Sequence, residues 1–470
     1  MQLCCVNFMF AKNTLILFHH LQTTTMISLL IKNFLRTRSL MLALLLIFVV
    51  GLVSLHVGKR FIDQQAEIIE MNADKQEESI ERYVKYNADD IGLLLYYLKF
   101  GLANETPNLT GLSIGHRDIH PTIQNAKILN LEGQKYASRY ANPMYQLLGK
   151  MDFGFVLVYF FPLIIIALCY NLLSEEKEGN TWGLMLIQSQ NPLKIIRQKL
   201  LIRLVSVLSV LIILLIIGKI YLAIPADAAF FAFVLTAVLY VCFWFALAWL
   251  VISFDRSSTQ NAQVLLLAWV VLTFVVPTAI NALSVNLYPV PEAYETMLQS
   301  RDGYHNKWDE PKAPTIEKFQ EKYPQFSKYE HPEGKNFSWF WYYAMQHTGD
   351  EEAATAAKAI KERLALRDQF SRTLGYVFPS LHTQFTLNAL CKSDMTNYLN
   401  FIQQLETNHE EKRLYFYPKI FDNKPVSGEN WKDFSQDYSE DARGVNWLGA
   451  LLPLLVVSLL LVFWLSLIHI

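Results

Sequence analysis

The sequence predicts an all-α membrane protein: six transmembrane helices carrying two large, largely helical extracytoplasmic segments. Three observations carry this. Apolar runs of about 18 to 23 residues recur along the chain, and a bilayer needs about 20 residues at 1.5 Å each. The chain is 52% hydrophobic and 18% charged, and almost all of the charge falls between the runs, as it does when spans alternate with folded loops. Lysine and arginine gather in the short loops of one side, the bias that orients membrane proteins.

Residues Met1–Thr25 differ in character from the rest of the chain. Their apolar stretch Leu15–Phe18 is too short for a signal peptide and no small-residue cleavage site lies after it. Met26 is therefore expected as the true start, with residues 1–25 a non-native or disordered extension. Ile27–Arg38 sets Leu30, Ile31 and Leu35 at helical spacing with Lys32, Arg36 and Arg38 between them. That is the pattern of an interfacial elbow helix whose basic groups meet anionic lipid. With the first span, 40–57, it makes a unit 26–57. A polar segment, 58–152, comes next, with a helical-looking Gln64–Tyr86 and turn signals at Asn104–Pro107 and Asn142-Pro143. A four-span core, 153–283, holds spans at 153–173, 202–222, 230–252 and 262–283. Pro162 and Pro277 lie within it, and neighbouring spans can tolerate the kinks that proline makes. The second polar segment, 284–445, carries helical patterns at Asp350–Leu374 and Leu381–Leu405, and 446–470 holds the last span, 447–467.

Orientation comes from Lys32, Arg36, Arg38, Lys177, Lys194, Arg197, Lys199, Arg203 and Arg256, all on one side of the predicted spans. That side is expected to be cytoplasmic in a multi-pass protein of the cell (inner) membrane, with both termini inside and both large segments outside.

The net charge of −1 gives no support to nucleic-acid binding. Cys4, Cys5, Cys169, Cys242 and Cys391 show no C-x-x-C spacing, which argues against zinc and a disulfide framework. G-x-x-x-x-G-K-[ST], H-E-x-x-H and G-x-S-x-G are absent. His305, His331, His347, His382 and His409 are dispersed, as packed or solvated histidines are, and Asp350-Glu351-Glu352 reads as a solvated helix start. Lys219 sits near a span end, where its stem can snorkel to the headgroups. No catalytic, metal or cofactor site is expected, and no charged relay crosses the membrane. If the protein moves a substrate, the energy comes from a partner.

The segment between the second and third spans, 174–201, draws attention for that reason. Ser174-Glu-Glu-Lys-Glu-Gly-Asn-Thr-Trp182 leaves the bilayer as a charged turn, and Asn191-Pro192 reads as a cap and first residue of a helix running into the third span. From these residues alone a solvated connector and a docking element are equally good readings.

The order Asp152-Phe-Gly-Phe, Phe161-Pro-Leu-Ile-Ile-Ile-Ala-Leu, Ser174-Glu-Glu-Lys-Glu-Gly-Asn-Thr, Gln190-Asn-Pro, Lys199-Leu-Leu-Ile-Arg203 resembles the ABC-2 type transporter permeases. Tyr288-Pro-Val-Pro291, Phe378-Pro-Ser with Gln384, and Asp394 extend the likeness to the DUF3526-like subgroup with two large extracytoplasmic loops. It covers Met26–Ile470. That subgroup shows E-x-E-x-G-T after the second span. Glu176, Glu178 and Thr181 match, whereas Asn180 stands at the glycine position and Gly179 precedes it. The resemblance implies a permease subunit that pairs with itself or with a sibling permease and is driven by separate ABC ATPase subunits. Glu175, Glu176, Glu178, Gly179, Thr181, Lys194 and Arg197 would form the ATPase-coupling hairpin, and Lys32, Arg36 and Arg38 the elbow. A rival from another class is a membrane-anchored extracytoplasmic interaction or assembly protein without transport activity.

Overall fold

The computed structural model describes residues 26–135, 150–188, 192–290 and 293–468. The Met1–Thr25 extension, the Asn142-Pro143 turn and the Asn191 cap lie outside them. Among the described residues, six helices are long and apolar enough to cross a membrane: Arg38–Tyr86, Phe153–Glu178, Pro192–Tyr221, Ala228–Ile252, Ser258–Leu287 and Trp447–Trp464. The elbow is helical over residues 26–36 (α1) and is separated by Thr37 from α2, Arg38–Tyr86. Phe34 is the buried residue of α1, and the cations Lys32, Arg36 and Arg38 are exposed.

The second span is interrupted rather than merely kinked. Val156–Phe160 is π-helical, ahead of Pro162 in α3 (Phe161–Cys169). Proline lacks the N–H that would close the preceding turn, and a π-bulge absorbs the mismatch. The fifth span repeats the device, with a π-turn Val271–Val275 between its two α-helical parts and Pro277 just after it. Small residues bring the first and third spans together. Gly51 faces Leu214 of α4 (Pro192–Tyr221), and Gly218 of α4 faces Leu55. Glycine at such crossings lets apolar helices approach closely where lipid supplies no hydrophobic drive. Tyr240, Phe243, Trp244 and Phe245 of α5 (Ala228–Ile252) are buried in the bundle, so these aromatics pack rather than line an open path. Lys219 donates to the Ile224 carbonyl at 2.9 Å.

Two expectations change. The first span does not stop at Val57: α2 continues unbroken through Gly58 to Tyr86. Glycine costs a helix about 1 kcal/mol against alanine, but here no side chain would fit, because a Cβ on Gly58 would stand 1.9 Å from the Gly111 carbonyl oxygen. The two polar segments also fold as one domain. β1 (Phe100–Asn104) pairs antiparallel with β2 (Ile123–Ala126) and parallel with β3 (Asp437–Ser439) of the other segment. Arg117 clamps this junction, with all its donors placed on Asn104, Glu105, Thr106 and Lys392.

Asp350 is a further correction. It is not a solvated helix start but lies inside α6, Trp339–Gly375, whose N-cap is Ser338. There it is buried, pairs with Arg413 at 2.5 Å and accepts from the Leu131 and Glu132 amides. The acidic triplet suggested an N-terminus, whereas Trp339-Phe-Trp-Tyr-Tyr343 begins the helix by burying its rings. His347, His382 and His409 are packed side chains, His382 bonded to the Ala450 carbonyl at 2.9 Å.

Candidate functional site

On the side opposite the polar domain, the second span ends in a short helix, Ser174–Glu178, followed by a turn and a second helix, Trp182–Gln188. The turn is a Schellman closure: the Thr181 amide donates to the Glu176 carbonyl at 3.0 Å and the Asn180 amide to the Lys177 carbonyl at 3.2 Å. Asn180 takes the left-handed conformation with φ 56°, and Gly179 stays at φ −83°. The altered order therefore keeps the turn, because asparagine tolerates this region better than other side-chain-bearing residues. Asn180→Val should strain it by about 1–2 kcal/mol. The expected result is roughly tenfold faster hydrogen exchange at the Thr181 amide, with Asn180→Gly leaving the rate unchanged.

The acids of this hairpin are engaged with the chain itself. Glu176 pairs with Lys199 and accepts from the Thr181 hydroxyl. Glu178 accepts from the amide and hydroxyl of Ser258, both at 2.8 Å, and Ser174 donates to the same hydroxyl at 2.7 Å. Ser258 opens the fifth span, so Glu178 is a carboxylate at a helix N-terminus, where the exposed amides favour it. Lys177 pairs with Asp255 in the same loop and lies 5.4 Å from the Trp182 ring centroid. The hairpin is thus tied to the loop between the fourth and fifth spans and to the root of the third. Glu175 is exposed and held by Asn171 at 2.9 Å; Gly179, Lys194 and Arg197 are also exposed.

What the sequence reading missed is the Trp182–Gln188 helix. None of its residues is buried, and Leu184, Leu186 and Ile187 are 58%, 54% and 85% exposed. Trp182 and Met185 lean against the bundle, which leaves an apolar face that none of the described residues covers. The signal was present in Gly-Leu-Met-Leu-Ile, but a run of that kind normally reads as core.

At the opposite end, α7 (Pro379–Leu390) starts inside the bundle and runs out toward the polar domain. Tyr240, about 18 Å along α5 from Ala228 at 1.5 Å per residue, donates to the Val158 carbonyl at 2.9 Å and meets the Ser380 hydroxyl at 3.0 Å. A re-entrant helix is satisfied in this position because its polar groups face protein rather than lipid. Asp394, just beyond it, is buried. Burial alone would raise its carboxyl, but Arg443 and Arg372 hold it below the usual range. These pairs tie the re-entrant helix to α6 and to the irregular segment leading into the last span.

The family model described as ABC-2 family transporter protein matches residues 31–332, and the model described as domain of unknown function DUF3526 matches residues 293–438. The first spans well over half of the chain. The chain belongs to the ABC-2 transporter family. It is a transporter membrane subunit of the DUF3526-like type, a membrane component rather than the catalytic part of its transporter. No curated protein and no solved structure matches it.

Proposed function

We propose that this ABC-2 permease couples ATP hydrolysis in separate ATPase subunits to substrate movement, and that the hairpin 174–201 is where the ATPase pushes. The observation that carries this is the exposed apolar helix Trp182–Gln188, uncovered among the described residues and preceded by Glu176, Lys177 and Glu178, whose ion pairs and hydrogen bonds tie the hairpin to the third span, the loop before the fifth and the start of the fifth. The chain has no phosphate-cradling loop of its own, so a nucleotide-driven step must come from a second protein. A partner biases a permease only by contacting its conformations unequally. A hairpin fixed to three spans converts such a contact into relative movement of those spans. The basic short loops support a cytoplasmic position for this face; in this reading the protein sits in the inner membrane, with two permease copies or one copy and a sibling completing the path.

The Glu176→Lys, Glu178→Lys double variant reverses charge at Lys199 and at the Ser258 helix start. It should weaken co-purification of the ATPase encoded with this permease while membrane insertion stays normal. Unchanged co-purification would sink the assignment of the hairpin. The co-folded polar domain favours a second reading, an extracytoplasmic assembly protein. That reading requires the partner to follow the polar domain and to ignore the hairpin variants.

A further inference from the structure

Arg203 stands apart from the other buried arginines. Arg413 is paired with Asp350, and Arg117 has all its donors placed. Arg203, in the third span, is 8% exposed, and its one hydrogen bond among the described residues runs from Nη1 to the Leu168 carbonyl. No carboxylate of the described residues forms an ion pair with it; Glu175, at the border of the cavity beside it, attracts it only through space. A guanidinium has five N–H donors and never gives up its charge. A buried cation at the edge of a bilayer calls for an anion.

Space for one lies beside it. A cavity of about 450 Å³ opens between the elbow, the start of the first span and the adjoining ends of the second and third. That is within the ordinary size of ligand sites. Asn33, Thr37, Lys199 and Arg203 form its polar wall, and Leu40, Ala43 and Ala167 its apolar one. Glu175 and Glu176 also border it, but Glu176 is held by Lys199 and Thr181, and Glu175 is exposed and bonded to Asn171. Lys32, Arg36 and Arg38, exposed along the elbow, add positive charge alongside.

We propose that this cavity binds an anionic phospholipid of the leaflet on the hairpin side, its phosphate on Arg203 and its acyl chain along the apolar wall. The mixed lining selects a lipid over a free anion. A phosphate alone would leave Leu40, Ala43 and Ala167 facing water, whereas a glycerophospholipid satisfies both walls. Planar arginine is suited to phosphate by its forked donors, and the elbow's cations concentrate acidic lipid near the opening. The lipid would then be a structural part of the joint between elbow and hairpin, whatever drives that joint.

The test uses the full chain in detergent micelles. Thermal stability and native mass spectrometry are read with added dioleoylphosphatidylglycerol, dioleoylphosphatidylcholine or inorganic phosphate. The expected result is retained phosphatidylglycerol and a Tm rise of about 3 °C or more, with neither of the other additives acting. Arg203→Gln should weaken phosphatidylglycerol binding at least about tenfold. Ala43→Phe, which fills the cavity and leaves Arg203 in place, should do the same and decides the matter if the first variant does not fold. Equal protection by phosphatidylcholine or by phosphate overturns the proposal, as does undiminished phosphatidylglycerol binding in Ala43→Phe. Arg203→Gln that keeps the lipid but loses the ATPase also overturns it, assigning Arg203 to the protein partner. The lipid readout needs no ATPase, so it stands or falls apart from the coupling assignment.

Discussion

Replacing Leu184 and Ile187 by aspartate should abolish stable association with the ATPase while leaving the permease folded and inserted. Both side chains are more than half exposed and neither belongs to a hydrophobic core cluster of the described residues, so the substitution removes no core contact among them. On docking, each would bury an aliphatic side chain worth about 1.5–3 kcal/mol, and aspartate would reverse that gain and strand a charge. A combined loss of about 4 kcal/mol is on the order of a thousandfold in Kd. Co-purification and surface-plasmon measurements on wild type and variant would read this directly, with the melting temperature as the control for folding. The contrast with Glu176→Lys, Glu178→Lys is informative. Those acids face their own chain, so their reversal acts by loosening the hairpin, whereas Leu184 and Ile187 would meet the partner itself. Wild-type affinity in the aspartate variant would show that the exposed helix is not the contact.

The spans were legible because hydropathy averages over many residues, and no single side chain has to be interpreted. The hairpin's position was legible for the same reason, as a charged break between two such runs. Its internal ties were not. Glu178 finds Ser258 and Lys177 finds Asp255 across about eighty positions of chain, and a sequence offers no register for contacts of that kind. A helical pattern was legible from Leu381, but the insertion of Pro379–Leu390 into the bundle was not, for a different reason. Its twelve residues include Ser380, His382, Thr383, Gln384 and Asn388, too few and too polar to read as membrane-buried. Their cost is offset by partners such as Tyr240 and the Ala450 carbonyl, which lie on other spans. The parallel pairing of β1 with β3 joins strands more than three hundred residues apart, and neither strand is long enough to announce itself. Asn180 is the converse case: the departure from glycine was visible, and the backbone requirement it still meets predicts why it is tolerated.

Gly58→Val should unseat the polar domain from the membrane bundle, at a cost of about 3 kcal/mol or more. The contact it breaks is backbone against backbone: the new Cβ would stand 1.9 Å from the Gly111 oxygen and 2.8 Å from its carbonyl carbon, and no rotamer change relieves that overlap. Gly111 belongs to the Asn108–Leu112 turn, which several elements share. Asn108 donates to the Ala223 carbonyl between the third and fourth spans at 3.1 Å, and Thr110 donates to the Cys391 carbonyl at 2.6 Å. Cys391 returns a bond to the Leu109 carbonyl at 3.2 Å. Pushing this turn off α2 therefore strains three attachments together, including the end of the re-entrant helix. Gly111→Ala is the discriminating control. Its Cβ would meet first a Leu222 methyl at 2.9 Å, and a side-chain end can move, so the loss should stay near the low end of overpacking costs, about 1 kcal/mol. Limited proteolysis of the polar domain and the melting temperature of the purified protein would separate the two. If both variants melt with the wild type, the turn is not the joint that holds the domain to its spans, and movement at the hairpin would have to reach the far side through the bundle alone.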